Sequence, residues 1–118
     1  MGRLTTHVLD TATGVPASGM QVDLFRLEGA ERILLKIVQT NVDGRLEGSL
    51  LEGFELTTGM YELEFHVGHY FAAMGAATGP DPRFLEVVPV RFGVSDTDGH
   101  YHVPLLVSPF GYSTYRGS

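Results

Sequence analysis

The sequence contains no cysteine among its 118 residues. Without cysteine there can be no disulfide bond, no thiolate zinc site and no cysteine nucleophile. Any catalytic group must therefore come from other side chains. The remaining candidates are the five histidines, the isolated arginines and a polar C-terminal segment at residues 112–118.

Basic residues are also scarce. Eight Lys and Arg against fourteen Asp and Glu give a formal net charge of −6. Lys36 is the only lysine, and the arginines are scattered singly along the chain. Because a nucleic-acid-binding face needs clustered basic side chains to displace counterions, we expect no nucleic-acid partner.

Long apolar runs are missing as well. The longest, such as residues 103–107, are far too short to span a bilayer, so we expect no membrane association. The first residues lack the apolar stretch that characterises a secretory signal peptide. The sequence therefore predicts a cytoplasmic protein.

The length and the glycine content describe a small, turn-rich domain. A chain of 118 residues and 12.9 kDa predicts a single domain over residues 1–118. Its fifteen glycines are nearly twice the usual proportion and predict many turns. Such a domain has little interior in which to enclose a catalytic pocket.

Alternating apolar and polar residues predict strands through most of the chain. In the clearest run, Tyr61, Leu63 and Phe65 point to one face while Glu62 and Glu64 point to the other. The strand-like runs cover residues 4–10, 20–27, 33–40, 45–50, 61–67, 85–92, 101–107 and 112–116.

Turn residues separate these runs and support the count of about eight strands. Asp43-Gly44 predicts a tight hairpin with a type I′ turn. Pro89 predicts an edge or bulged position for its strand, and only residues 69–74 are typical of a helix. The pattern favours an all-β, two-sheet sandwich with one short helix.

Strand alternation predicts the direction in which three of the histidines point. His100 and His102 should share one face of their strand, and His7 should point away from Val8. Taken singly, each is most simply a solvated strand side chain. Together the three could also form an open His₃ metal site, although their spacing is a weak signal for one.

Three segments of the sequence carry a more specific pattern. They are LTTHVLDTATG at residues 4–14, DGR at residues 43–45 and HYHVPLLVSPFGYSTYRGS at residues 100–118. In order and separation they resemble the 5-hydroxyisourate hydrolase branch of the transthyretin-like family. The most specific part is the terminal Tyr-Arg-Gly-Ser at 115–118, which that branch has and transthyretin lacks.

The resemblance implies a transthyretin-like sandwich of about eight strands that assembles as a homotetramer, a dimer of dimers. It implies hydrolysis of the small molecule 5-hydroxyisourate to 2-oxo-4-hydroxy-4-carboxy-5-ureidoimidazoline, in which a ring amide bond opens during urate breakdown. It also implies a cofactor-independent reaction with no metal and no organic cofactor.

The resemblance also implies which residues act. His7, Arg45 and His102 would be catalytic, and His7, Arg45 and Tyr115 would contact the substrate. The matching positions of the three catalytic residues in transthyretin hold lysine, glutamate and threonine. Histidine suits proton transfer at neutral pH, and arginine offers a permanently charged fork for substrate oxygens.

One alternative from another functional class stays open. A transthyretin-like carrier would bind a small aromatic ligand between dimers without catalysis. The histidines, the arginine and the terminal tetrapeptide favour the hydrolase.

Overall fold

The computed structural model describes residues 1–118, and most of them lie in β-strands or the turns between strands. The strands are β1 (Arg3–Asp10), β2 (Val15–Pro16), β3 (Gln21–Glu28), β4 (Glu31–Gln39), β5 (Leu51–Glu52), β6 (Gly59–Phe65), β7 (Val88–Val94), β8 (His100–Ser108) and β9 (Gly111–Thr114). One helix, α1 (Val67–Ala73), follows β6, and no helix is long and apolar enough to cross a membrane.

The strands form two sheets that pack as a sandwich. One sheet has the order β2-β1-β8-β9, with β5 paired to β1, and the other has the order β4-β3-β6-β7. A cluster of 22 buried residues fills the space between them. The predicted all-β sandwich with one short helix is confirmed.

Alternation explains this core. Leu4 and Val8 from β1 and Leu63 and Phe65 from β6 are all fully buried. Leu105 from β8 is fully buried as well. The inward residues sit at every second position, which is the period of a strand with one face on the core.

One strand prediction is wrong. Residues 45–50 form no strand, and only Leu51–Glu52 pairs with β1. Gly44 and Gly48 both have positive φ, a conformation that does not occur in a regular strand. The strand therefore begins only where Leu50 N donates to Leu4 O, at 2.8 Å.

The Asp43-Gly44 turn is not a type I′ hairpin. That turn requires positive φ at both central residues, and no residue other than glycine has positive φ here. The Asn41 side chain organises the turn instead: its Oδ1 accepts hydrogen bonds from the backbone N–H of Asp43 (2.9 Å) and of Arg45 (3.1 Å).

Pro89 and Glu62, both in the second sheet, occupy the positions predicted for them. Pro89 lies in β7, an edge strand, as predicted, where a missing N–H costs no ladder bond. Glu62 faces outward as predicted, yet it is only 5% exposed. Arg32 and Arg91 cover it and donate to its two carboxylate oxygens, at 3.1 and 3.2 Å.

Candidate active site

The candidate site lies on the outer face of the sheet that contains β1 and β8. These two strands are parallel, with Thr5 opposite His102 and Arg3 opposite His100. On β1 the inward Leu4, Thr6 and Val8 are buried, so the intervening Thr5 and His7 point outward. Pairing between strands nearly 100 residues apart thus brings two histidine-bearing segments together.

The orientation predicted for the histidines is confirmed. Tyr101 and Val103 on β8 point into the core, while His100 and His102 lie on the outer face. The imidazole rings of His7 and His102 have centroids 6.5 Å apart. The two rings are tilted by 35° to each other.

Arg45 reaches the same face from the loop after β4. Gly44, with φ at 72°, lies against β1, and its carbonyl accepts a hydrogen bond from Val8 N at 2.9 Å. A Cβ at position 44 would collide with Val8 O, so only glycine allows this approach. The contact fixes the loop beside β1 and positions the exposed Arg45 beside the histidines.

Arg45 and His102 line one cleft of about 220 Å³, together with Thr5, His100 and Ser118. His7 and Tyr115 line a neighbouring cleft of about 160 Å³ with apolar residues such as Leu106. The four predicted site residues therefore divide between two adjacent clefts. The short distance between the His7 and His102 rings links the two clefts.

Volume does not single out this site. A larger cleft of about 380 Å³ lies between β4 and residues 46–50, with Lys36 and Glu47 as its charged residues. It contains no histidine. The clefts around His7 and His102 are distinguished by their chemistry.

Partial burial and nearby positive charge lower the pKa of both site histidines. Partial burial lowers the pKa of His102, and the positive charge of Arg45 lowers it further, followed by His100 and His7. Partial burial and Arg45 also lower the pKa of His7, whereas a backbone hydrogen bond and the charge of Asp43 act in the opposite direction. A neutral imidazole can accept a proton at neutral pH, which is what a general base requires.

The C-terminal tetrapeptide is attached to β8 directly beside His102. The Arg116 guanidinium stacks over the Tyr101 ring at 4.2 Å, and its Nη2 donates to His100 O at 3.3 Å. Gly117 N then donates to His102 O at 2.8 Å. These contacts hold Ser118 in the cleft that contains Arg45.

The close contact with the His102 ring explains why the tetrapeptide has a glycine at position 117. A Cβ built at position 117 would lie 2.5 Å from His102 Cδ2, closer than atoms can approach. The tail backbone therefore lies against the imidazole ring and restricts its orientation.

Tyr115 stands apart from the rest of the predicted set. Its side chain is 61% exposed and contributes to the cleft of His7, while Arg45 lies in the other cleft.

Thr5 is the residue that sequence reasoning missed. Its hydroxyl lies 2.8 Å from His100 Nε2 and 2.8 Å from His102 Nδ1. A threonine on a strand is unremarkable by itself. The only available signal was alternation, which places it on the same face as His7.

The sequence left a His₃ metal site open as an alternative. No group of three His, Asp or Glu side chains in the structure is arranged to hold a metal ion. The rings of His100 and His102 are engaged with Thr5, at centroids 6.1 Å apart, and do not converge with His7 on one point.

Comparison with known proteins shows the family of the chain. Residues 4–117 match the model of the HIUase/Transthyretin family. A relative from Rhizobium meliloti (strain 1021), 5-hydroxyisourate hydrolase 2, is 63% identical over 117 residues that cover 99% of this chain and 97% of the relative.

Solved structures show the same fold. The structure of Klebsiella pneumoniae 5-hydroxyisourate hydrolase is 36% identical in sequence and superposes with a TM-score of 0.81. The match covers 100% of both chains. A crystal structure of (S)-allantoin synthase is 51% identical with a TM-score of 0.93. The match covers 99% of this chain but only 44% of that longer chain. The resemblance found in the sequence is thus confirmed: the chain belongs to the HIUase/Transthyretin family.

Proposed function

We propose that this protein is a 5-hydroxyisourate hydrolase. The observation that carries the proposal is the placement of two histidines and an arginine around adjoining clefts on one face of the sandwich. The 63% identical relative of nearly equal length, which is named for this activity, supports it independently.

The reaction opens a cyclic amide, and its chemistry sets three requirements. A water molecule must lose a proton as it adds to the carbonyl carbon. The carbonyl oxygen then carries negative charge in the tetrahedral intermediate, and the ring nitrogen must gain a proton when the C–N bond breaks. Water is the only co-substrate, and we propose that the side chains around the clefts act on it without a metal or an organic cofactor.

The residues around the clefts match these requirements. His7 and His102 share the two proton transfers, because their ring centroids lie 6.5 Å apart and their lowered pKa values favour the neutral, proton-accepting form. Arg45 orients substrate oxygens and stabilises the oxyanion, because its guanidinium carries a permanent charge and several N–H donors. Tyr115 contacts the purine-like ring from the neighbouring cleft.

We propose that the active protein is a homotetramer, a dimer of dimers. Both β7 and β9 are sheet edges with one unpaired side, which a second copy can extend. The site face carries the exposed Tyr115 and partly exposed Leu106 around an open cleft. A second dimer placed over this face would exclude water from the site.

Two further expectations stay predictions. One continuous cluster of buried residues supports a single domain over residues 1–118. The location of the protein in the cytoplasm follows only from the sequence pattern.

The first prediction concerns the reaction and its residues together. The wild-type protein should accelerate the decay of freshly prepared 5-hydroxyisourate, measured by ultraviolet absorbance. The substitutions His7→Gln, His102→Gln and Arg45→Gln should each lower the rate by about a hundredfold or more, because each removes acid–base or charge stabilisation.

The matched control for these variants is His69→Gln. His69 is an exposed histidine on α1, away from both clefts, so its rate should equal that of the wild type. Folded site variants with near-native rates would contradict the assignment. A wild-type protein that binds the substrate without accelerating its decay would favour the carrier.

The second prediction concerns the terminal tetrapeptide. Gly117→Ala should reduce the hydrolysis rate strongly with little change in the melting temperature, because the added methyl group displaces the His102 ring. Gly111→Ala is the control: a Cβ there meets only Ser108 Oγ, at 3.8 Å. Equal rates for the two variants would show that contact of the tail with His102 is unimportant.

The third prediction concerns pH. Because burial and Arg45 lower the pKa of both histidines below 6.5, each ring stays neutral to a lower pH than a free histidine. The rate should therefore hold from pH 8 to about 6.5 and fall only at more acid pH, as the rings gain protons. A rate profile with its acid midpoint above 6.5 would contradict the lowered pKa values.

The fourth prediction concerns assembly. Light scattering should give a mass about four times the 12.9 kDa of the chain. Dilution that separates the subunits should reduce the specific activity, since each site depends on coverage by a second dimer. A monomer with full activity would contradict this part of the proposal.

A further inference from the structure

The hydroxyl group of Thr5 connects two histidines that no hydrogen bond joins directly. Its oxygen lies 2.8 Å from His100 Nε2 and 2.8 Å from His102 Nδ1. Both distances are typical of good hydrogen bonds. All three residues are partly buried and are held by the parallel pairing of β1 with β8.

A hydroxyl group has one proton, and this limits the tautomers of the two rings. Thr5 can donate to only one of the two nitrogens that face it. The other nitrogen must then carry its own proton and donate to the Thr5 oxygen. His100 Nε2 and His102 Nδ1 therefore cannot both be unprotonated while both hydrogen bonds exist.

The surroundings of His102 favour one of the permitted arrangements. With Nδ1 bonded to Thr5, only Nε2 is left to face a ligand. The cationic side chains that line the same cleft are Arg3 and Arg45, and His7 adds a further titratable ring. A guanidinium has donors and no acceptor, so an unprotonated Nε2 is the form that faces these charges favourably.

From this geometry we propose that Thr5 and His100 are positioning residues that hold His102 with its proton on Nδ1 and its lone pair on Nε2. In this arrangement His102 Nδ1–H donates to Thr5 Oγ1, and the Thr5 hydroxyl donates to His100 Nε2. The inference rests on the proposed function and deepens it, because it makes His102 the base that takes the proton from water. His7 is left for the second proton transfer.

The tautomer can be measured without substrate. In ¹⁵N-labelled wild-type protein at pH 8, long-range ¹H–¹⁵N spectra should show His102 Nδ1 protonated and Nε2 unprotonated, with signals assigned by comparison with His102→Gln. The opposite tautomer would overturn the proposal. This readout is independent of catalysis and of whether any Thr5 variant folds.

Substitutions at Thr5 test the consequence for turnover. Thr5→Val keeps the branched shape that suits a strand but removes the hydroxyl group. We expect it to lower kcat about tenfold to a hundredfold, with little change in KM, because the ring loses its fixed tautomer and orientation. Thr5→Ser restores the hydroxyl and should recover most of the wild-type kcat.

Two kinetic results would contradict the proposal: wild-type kcat in Thr5→Val, or an equal loss in Thr5→Ser and Thr5→Val. These results are distinguishable from failure of the proposed function. If the wild-type protein itself does not accelerate the decay of 5-hydroxyisourate, the function is wrong, whereas the tautomer spectra still report on the Thr5 contacts.

His100→Ala tests the distant end of the chain of hydrogen bonds. Without His100 as acceptor, the Thr5 proton becomes free to turn towards His102 Nδ1. The ring of His102 should then populate both tautomers in the spectra, and kcat should fall. An unchanged His102 tautomer together with an unchanged kcat would show that His100 has no positioning role.

Discussion

The parallel pairing of β1 with β8 is the constraint on which the site depends. It joins segments from opposite ends of the chain and sets Thr5 directly opposite His102. Because alternate residues on both strands fill the core, the register also decides which residues face outward. A shift of one residue would turn His7 and His102 into the core, so sandwich packing and site geometry are specified together.

Close backbone approaches bring the remaining groups to this face. Gly44 lies against Val8 and thereby places Arg45, and Gly117 lies against the ring of His102. Neither position can accommodate a Cβ. Partial burial and, after it, the charge of Arg45 lower the pKa of both histidines. The site thus combines a rigid pair of strands with two segments fixed by glycine.

Strand periodicity was sufficient to predict the sandwich, the edge position of Pro89 and the common face of His100 and His102. It failed at residues 45–50, where the positive φ of Gly44 and Gly48 interrupts the strand conformation. The turn type predicted at Asp43 was also wrong, because hydrogen bonds to the Asn41 side chain stabilise a different turn. The roles of His7 and Arg45 came from resemblance alone. Thr5 could not be predicted, because its importance depends on strand register rather than on residue type.

The small size of the domain explains why the site lies on its surface. A core of 22 residues leaves no interior for a pocket, so the reactive groups lie on an open sheet face that a second dimer can cover. Hydrolysis of 5-hydroxyisourate at this face is tested by ¹³C NMR of freshly generated 5-hydroxyisourate with a catalytic amount of protein. The ring-opened carboxylate signal should appear rapidly, and conversion at the uncatalysed rate would contradict hydrolysis by this protein.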